Sequence, residues 1–208
     1  MTAERCAAAA RRLWVAGALV VAALGCAGCK ELFAPPKSPF NGVDVTGAEM
    51  GADFQLTDHN GKARSLADFR GKAVAIFFGY THCPDVCPTT LSDMASALQI
   101  LGTDAARVQV LFVTVDPKRD TPELLRQYVP AFNPTFLGLY GDATATAKVT
   151  RDFKIYAQER PGKESGQYTL DHSAQTLVFD RQGRLRLLLP YGIEPAKIAS
   201  DLRVLLES

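Results

Sequence analysis

The sequence has no excess of charge of either sign, since 23 basic residues stand against 22 acidic ones and the formal net charge is +1. Proteins that act by binding phosphate backbones carry a basic surplus, so this balance argues against a nucleic acid partner. No internal repeat is present, which excludes a repeat architecture. Large apolar residues, in contrast, are plentiful: the chain is 47% hydrophobic. That content excludes a disordered tail and predicts a protein with a real core.

Residues 1–25 are predicted to be a signal peptide or membrane-targeting segment. Arg5, Arg11 and Arg12 give the segment a basic start, and the apolar run Leu13–Leu24 follows without a charge. This order of a basic region, an apolar region and small residues is typical of targeting segments rather than of a folded domain. The rest of the chain is therefore expected outside the cytoplasmic membrane, facing the bacterial periplasm.

Residues 23–26, with the sequence Ala-Leu-Gly-Cys, resemble a bacterial lipobox, in which the cysteine is lipidated and becomes the new N-terminus. Cys26 is the predicted lipidation site, and Cys29 is the alternative. A plain signal peptide and a single uncleaved anchor helix remain open. Residues 26–47 contain three prolines and no apolar periodicity, so they are predicted to be a lipidated or anchored tether.

Residues 48–208 are predicted to form one α/β domain, with a central mixed sheet flanked by helices. Ala73–Gly79 and Val108–Val115 are continuous apolar runs, typical of strands that are buried on both faces. Asn60-Gly61 suits a tight turn, which predicts an N-terminal β-hairpin over residues 53–66. Helices are expected over residues 89–101, 143–153 and 195–207 and from residue 121 onward, and further strands over residues 174–180 and 185–189.

Cys83 and Cys87 lie where the first buried strand ends, in the sequence Cys-Pro-Asp-Val-Cys-Pro. If the segment is helical, this i, i+4 spacing places both thiols on one face. The start of a helix lowers the pKa of a nearby thiol, and the resulting thiolate is both a nucleophile in disulfide exchange and a ligand for soft metals. A small structural disulfide is the alternative, but closing so short a loop removes little chain entropy.

The sequence has three histidines that could add a third ligand. His59 falls in the predicted hairpin turn and is expected to be solvated. His82 is adjacent to Cys83 and is expected to be an exposed residue at the rim of the site. His172 follows a polar stretch, residues 158–166, that is expected to be irregular, and it precedes a predicted strand. By itself a single histidine is more often structural than a ligand, so these residues leave the choice between redox and metal chemistry open.

Three motifs occur in an order that resembles the Sco/SenC family: residues 77–88 (FFGYTHCPDVCP), residues 113–122 (VTVDPKRDTP) and residues 171–173 (DHS). The resemblance covers nearly the whole predicted domain, from residue 51 to the C-terminal helix. It implies a thioredoxin-like fold, a membrane tether and copper bound by Cys83, Cys87 and His172. Three acidic residues match acidic positions common in the pattern, where roles beside the ligands or toward a partner are the hypothesis: Asp85, Asp116 and Asp171. Lys118 departs from the pattern, because an acidic residue is frequent there.

The same resemblance implies a copper carrier rather than an enzyme. Such a protein would hold one copper per chain, as Cu(I) or Cu(II), and help to assemble the binuclear copper A centre of cytochrome c oxidase. The implied partner is the oxidase subunit that bears this centre, with other periplasmic copper chaperones or thiol reductants as further partners.

The chemistry of the donors agrees with this implication but leaves alternatives. Two thiolates suit Cu(I), and an added imidazole makes a site that also holds Cu(II). A closed structural zinc site normally takes a fourth protein ligand, and the sequence offers no obvious one. Thiol–disulfide reduction of the cysteines of the copper-accepting subunit is the main alternative. A thiol peroxidase and a binding module with an inert disulfide are the others.

Overall fold

The computed structural model describes residues 38–51, 53–162 and 167–208. Within them, residues 39–208 form one compact unit around an eight-stranded mixed sheet. A separate two-stranded ribbon adjoins this sheet. The strands are β1 (Val43–Asp44), β2 (Leu56–Asp58), β3 (Ala63–Arg64), β4 (Ala73–Gly79), β5 (Val108–Thr114), β6 (Leu137–Tyr140), β7 (Ala157–Pro161), β8 (Tyr168–His172), β9 (Thr176–Phe179) and β10 (Leu185–Leu189).

The strand order in the main sheet is β1-β10-β9-β4-β5-β6-β2-β3, and β7 pairs with β8 to form the ribbon. Strands β4, β5 and β6 run parallel, while the other pairs are antiparallel. The α-helices of the described residues are α1 (Val86–Leu101), α2 (Pro122–Tyr128), α3 (Ala143–Asp152) and α4 (Pro195–Glu207). Short 3-10 helices cover Leu66–Phe69 and Gly102–Arg107.

The two central strands form the middle of the core, because every residue of β4 and β5 is buried. Strands buried on both faces need layers on both sides of the sheet, which explains their continuous apolar sequences. Helix α1 packs against α4, and α4 also contacts β4. The described residues contain no helix that is long and apolar enough to cross a membrane.

This architecture confirms the predicted thioredoxin-like α/β fold with a mixed sheet flanked by helices. The N-terminal hairpin is also present, since β2 pairs antiparallel with β3. Its turn contains Gly61, whose φ of 85° lies in the left-handed region that favours glycine. Strand β6 was not predicted, because its four residues Leu-Gly-Leu-Tyr are interrupted by a glycine and show little periodicity.

The ordered sheet begins inside the stretch that the sequence assigns to the tether. Strand β1 pairs with β10, so residues 43–44 belong to the main sheet. Just before it, the amides of Asn41 and Gly42 each donate to the carboxylate of Asp201 in α4 at 2.8 Å. These amides satisfy a buried carboxylate that is 160 residues away from Asn41 in the sequence. The predicted targeting segment, Cys26 and Cys29 lie outside the described residues.

Candidate metal centre

Three donor side chains converge where β4 ends, α1 begins and the ribbon ends. Cys83 lies in the loop after β4, Cys87 lies in the first turn of α1, and His172 is the last residue of β8. One ligand atom from each residue can be chosen such that all three lie within 4.8 Å of one another. Both cysteines are free thiols. The structure therefore brings together the three residues that the family resemblance singled out.

The first turn of α1 positions the two sulfur atoms. Helix α1 begins at Val86, earlier than the predicted start at residue 89 or 90, so Cys87 is already helical. Its backbone N–H, which has no partner within the helix, donates to Cys83 Sγ at 3.4 Å. The prediction that both cysteines act at a helix start is thus refined: Cys87 is in the helix and Cys83 precedes it.

The two thiols differ in exposure and in acidity. Cys83 is partly exposed, whereas Cys87 is fully buried. A hydrogen bond from the Cys87 side chain, aided by the backbone amides of Cys87 and Asp85, lowers the pKa of Cys83 far below the ordinary value. The same thiol pair and burial raise the pKa of Cys87. Because two close thiols do not both ionise readily, the first negative charge of the pair lies on the more exposed sulfur, that of Cys83.

Cys87 fits against the end of β4 because residue 79 has no side chain. A Cβ atom on Gly79 would lie 2.8 Å from Cys87 Sγ and 2.9 Å from the ring of Phe112. Both distances are shorter than a carbon can approach these atoms without displacing them. Gly79 therefore sets how closely the buried sulfur approaches the central strand.

The imidazole of His172 is oriented with its Nε2 atom toward the sulfurs. Nε2 lies 3.4 Å from Cys87 Sγ, and Nδ1 lies 2.9 Å from the carbonyl oxygen of Ser173. A carbonyl oxygen only accepts, so Nδ1 carries the proton and Nε2 presents its lone pair. The rings of Phe77 and Tyr80 contact the imidazole edge-on, with centroids at 5.9 and 5.8 Å, and hold its plane.

The ribbon that carries His172 is tied to the loop after β5. Tyr168 donates its hydroxyl hydrogen to Asp116 at 2.7 Å. The guanidinium of Arg119 lies 3.6 Å from the centre of the Tyr168 ring and donates to Asp116 at 2.5 Å. The hydroxyl of Tyr80 accepts from the amide of Leu170 at 3.3 Å. The predicted irregular stretch before His172 was thus wrong in part: β7 and β8 give it a hydrogen-bonded register.

None of the three predicted acidic residues places its carboxylate in the cluster of donors. Asp116 anchors the ribbon, as described above. Asp171 pairs with Arg160 at 2.7 Å on the exposed side of the ribbon. Asp85 is the N-cap residue of α1, and its exposed carboxylate accepts from the Thr89 hydroxyl at 3.3 Å. Their hypothesised roles toward a ligand or a partner stay predictions.

The other two histidines lie outside the cluster. His59 is 4% exposed, so the prediction of a solvated turn residue was wrong. Its Nδ1 accepts from the amide of Gly138 at 3.0 Å, because the hairpin turn packs against β6. Burial lowers the pKa of His59, which favours the neutral ring that this hydrogen bond needs. His82 is exposed at the rim, as predicted, with its side chain 51% accessible.

Sequence reasoning missed the residues that orient the donors. Gly79 and Tyr80 lie in the same motif as the cysteines, and Ser173 directly follows the histidine, so their positions were available as a signal. Which atoms they contact depends on the pairing of distant strands, and the sequence does not give that pairing.

The donor set fits a soft or borderline metal ion. Two thiols and one imidazole are the ligands that copper prefers, and carboxylates, which suit hard cations, are absent from the cluster. In the part of the chain that the structure describes, this is the only group of three or more such ligands. A fourth protein ligand, which a closed zinc site would need, is not among them.

Comparisons with known proteins agree with this picture. The sequence model of the SCO1/SenC family matches residues 44–207. The mitochondrial SCO2 homolog of Danio rerio is 45% identical over 133 residues, which are 63% of this chain and 48% of that protein. The SCO2-like protein of Rickettsia felis is 37% identical over 153 residues, 72% of this chain and 75% of that protein. The chain thus spans about half the length of the first relative.

Among solved structures, the chain is similar to Bradyrhizobium japonicum ScoI with copper bound, at 44% identity and a TM-score of 0.70. The match covers 75% of this chain and 99% of that one. Residues 44–207, which the family model matches, contain both motifs that supply the sulfur and imidazole donors, at residues 83–87 and 172.

Proposed function

The chain belongs to the SCO1/SenC family, and from that premise we propose that it is a copper carrier whose Cys83, Cys87 and His172 bind the metal and release it to a partner. The observation that carries the proposal is the convergence of two free thiols and one correctly oriented imidazole within 4.8 Å. The relative from Bradyrhizobium japonicum, whose structure has copper bound, supports this choice of metal.

The geometry suits a site that serves both oxidation states with one copper per chain. Two thiolates satisfy Cu(I), and the Nε2 of His172 adds the imidazole that Cu(II) favours. The lowered pKa of Cys83 supplies one thiolate before the metal arrives. The second thiol, Cys87, loses its proton as the metal binds.

We further propose that the acceptor is the oxidase subunit that bears the copper A centre. The motif resemblance supports this step, since it implies a role in assembling that centre. Other periplasmic copper chaperones or thiol reductants would supply copper or electrons to the carrier. A membrane-embedded acceptor is reached faster by a donor that is confined to the membrane surface.

The proposed location is the outer face of a bacterial cytoplasmic membrane, with the protein held by lipid on Cys26. The basic start, apolar run and lipobox-like residues 23–26 support it. Mass spectrometry of the mature protein tests this point. A lipidated N-terminal Cys26 is expected, and an unmodified N-terminus downstream of Cys29 or an intact Met1 would contradict it.

A second function is favoured by the asymmetry of the thiols. Cys83 is the accessible, acidic thiol and Cys87 is buried behind it, an arrangement suited to disulfide exchange. The thiolate of Cys83 would attack a partner disulfide and release one partner thiolate. Cys87 would then attack the mixed disulfide, leaving the partner reduced and this protein oxidised as a Cys83–Cys87 disulfide.

Cells that lack the protein distinguish the two functions. If copper carriage is the main function, added copper should partly restore oxidase assembly, and an external thiol reductant should not. If the protein is mainly a reductase, the reverse result is expected. The His172→Ala variant sharpens the test, because it removes a metal ligand but leaves both thiols. The variant should fail to restore assembly under the first function and succeed under the second, whereas His82→Ala should succeed under both.

A further inference from the structure

A buried carboxylate joins the loop that carries Cys83 to the neighbouring strand. The side chain of Asp120, just before α2, is fully buried. Its oxygens accept from the Thr81 hydroxyl at 2.6 Å and from the Thr81 amide at 3.1 Å. They also accept from the hydroxyl of Thr114, at the end of β5, at 2.6 Å. Three donors from two segments therefore meet on one carboxyl group.

These hydrogen bonds fix the chain two residues before the first sulfur donor. The turn from Tyr80 to Cys83 closes with a hydrogen bond from the amide of Cys83 to the carbonyl of Tyr80 at 3.2 Å. One end of the turn continues the buried strand β4, and its middle is fixed by Asp120 through Thr81. The position of the Cys83 sulfur relative to Cys87 follows from this turn.

The groups around the Asp120 carboxylate are consistent with a role in positioning this turn. His82 Nδ1, on an exposed ring, lies 3.1 Å from the Thr81 hydroxyl oxygen and 3.9 Å from the carboxylate. The backbone amide of Asp116 donates to the Thr114 hydroxyl at 3.0 Å, which extends the same network toward the ribbon anchor. Burial raises the pKa of Asp120, so removing this carboxyl group from water is costly and its hydrogen bonds must offset that cost.

We propose that Asp120 is a positioning residue for the sulfur donors: by fixing Thr81, it places Cys83 Sγ in range of Cys87 and His172. The test of this proposal by copper absorption rests on the proposed copper function. The test by amide hydrogen exchange in the metal-free protein is independent of that function.

A second buried carboxylate provides a matched control. Asp180, in the turn between β9 and β10, is also fully buried. It accepts from the amides of Gln182 and Arg184 at 3.0 and 2.9 Å. Because β9 runs antiparallel to β4, this turn lies at the opposite end of the sheet from the cysteines. Losing this carboxylate should destabilise the fold without moving the donors.

The experiment compares Asp120→Ala, Asp120→Asn, Thr81→Val and Asp180→Ala in the full-length protein in detergent micelles. In the reduced, metal-free protein, amide hydrogen exchange at residues 81–83 is measured by NMR. We expect exchange to accelerate by about tenfold in Asp120→Ala, since the Thr81 amide loses a charge-assisted partner. Asp120→Asn and Thr81→Val should each give a smaller increase, and Asp180→Ala should give none in excess of its general loss of stability.

In the same proteins loaded with Cu(II), the thiolate-to-copper absorption is measured. Asp120→Ala should shift and broaden this band, Thr81→Val should do so to a lesser degree, and Asp180→Ala should leave it unchanged. If Asp120→Ala fails to fold, Thr81→Val, which removes one hydroxyl, decides the question by both measurements.

Unchanged exchange and an unchanged band in Asp120→Ala, with stability reduced as in Asp180→Ala, would show that Asp120 is merely structural. If the wild-type protein takes up no copper, the proposed function fails, but the exchange measurement still decides the role of Asp120.

Discussion

The two cysteines are held by the central sheet and helix α1, whereas the imidazole is carried by a ribbon outside that sheet. Cys87 is fully buried against β4, a strand whose every residue is buried. His172 ends β8, whose partner β7 is exposed throughout. In the sulfur half of the candidate site, Cys87 is therefore part of the core and the partly exposed Cys83 packs against it, whereas the imidazole half is an attachment to the core.

This difference indicates which half can move. Core packing allows little displacement without cost, because the sulfurs share their contacts with the main sheet. The ribbon is fixed by fewer contacts, chiefly those of Tyr168, Arg119 and Tyr80. Elements with few buried contacts open at a lower free energy than the core. Under the proposed function, the imidazole is the ligand that leaves first when copper passes to a partner.

The largest effect is expected from removing a sulfur. Cys83→Ser and Cys87→Ser should each weaken the binding of Cu(I) and of Cu(II) by more than about 100-fold. A residue that only hydrogen-bonds to a ligand already contributes about 10–100-fold to metal affinity, and a ligand itself contributes more. Competition with a chelator of known affinity measures the loss. His82→Ala, next to Cys83 but outside the cluster, is the control and should bind as the wild type does. Binding that survives in both serine variants would contradict the assignment.

Removing the imidazole should divide the two oxidation states. His172→Ala is expected to abolish stable Cu(II) binding and to leave appreciable Cu(I) on the two thiolates, because Cu(II) favours imidazole and a higher coordination number. The thiolate-to-copper absorption reports Cu(II), and a Cu(I) chelator competition reports the reduced ion. An unchanged absorption band in this variant would remove His172 from the ligand set.

Overpacking the sulfur half tests its dependence on the core. Gly79→Ala places a methyl group 2.8 Å from Cys87 Sγ, so it should reduce the free energy of unfolding by about 1–3 kcal/mol and weaken copper binding together. Gly138→Ala is the matched control. Gly138 lies on β6, away from the donors, and a Cβ added there would lie 3.1 Å from Val129 and 3.3 Å from Leu125. Gly138→Ala should therefore lower the free energy of unfolding in urea but leave copper affinity in the competition assay unchanged. Gly79→Ala should lower both.

The two halves also differ in how far the sequence predicted them. The sulfur half follows from local signals: a continuous apolar strand, then Cys-Pro-Asp-Val-Cys-Pro at a helix start. Only the start of α1 was misplaced, because the helix begins at Val86 rather than at residue 89 or 90. The imidazole half does not follow from local signals, since β7 and β8 are short and residues 158–166, which include most of β7, were expected to be irregular. The contact between residues 87 and 172 depends on the pairing of strands far apart in the chain, and only the family resemblance pointed to it.

The same limit explains His59 and the start of the domain. His59 was placed correctly in a turn, but the burial of that turn depends on β6, a strand that the sequence did not indicate. The tether was predicted to end at residue 47, although Asp201 already binds the amides of Asn41 and Gly42. In both places the local pattern was identified and its long-range partner was not.

The smallest expected effect tests the attachment of the ribbon. Tyr168→Phe removes the hydrogen bond to Asp116 but keeps the ring under Arg119. Burial and the bond to Asp116 raise the pKa of Tyr168 to about 12, so at neutral pH the hydroxyl is protonated and donates. Losing one such bond costs about 0.5–1.5 kcal/mol, which predicts a Cu(II) off-rate several times faster and an unchanged Cu(I) affinity.

Tyr156→Phe is the control, because the hydroxyl of this exposed tyrosine, which directly precedes β7, hydrogen-bonds to Gln158 and Arg160 rather than to Asp116. Stopped-flow transfer of Cu(II) to a chelator measures both variants. A faster off-rate in Tyr168→Phe alone would show that the imidazole half is held through Asp116. Equal off-rates in both variants and the wild type would instead show that the stacked rings and the Tyr80–Leu170 hydrogen bond hold the ribbon without the Tyr168–Asp116 bond. The proposed weaker attachment of the imidazole half would then lose its support.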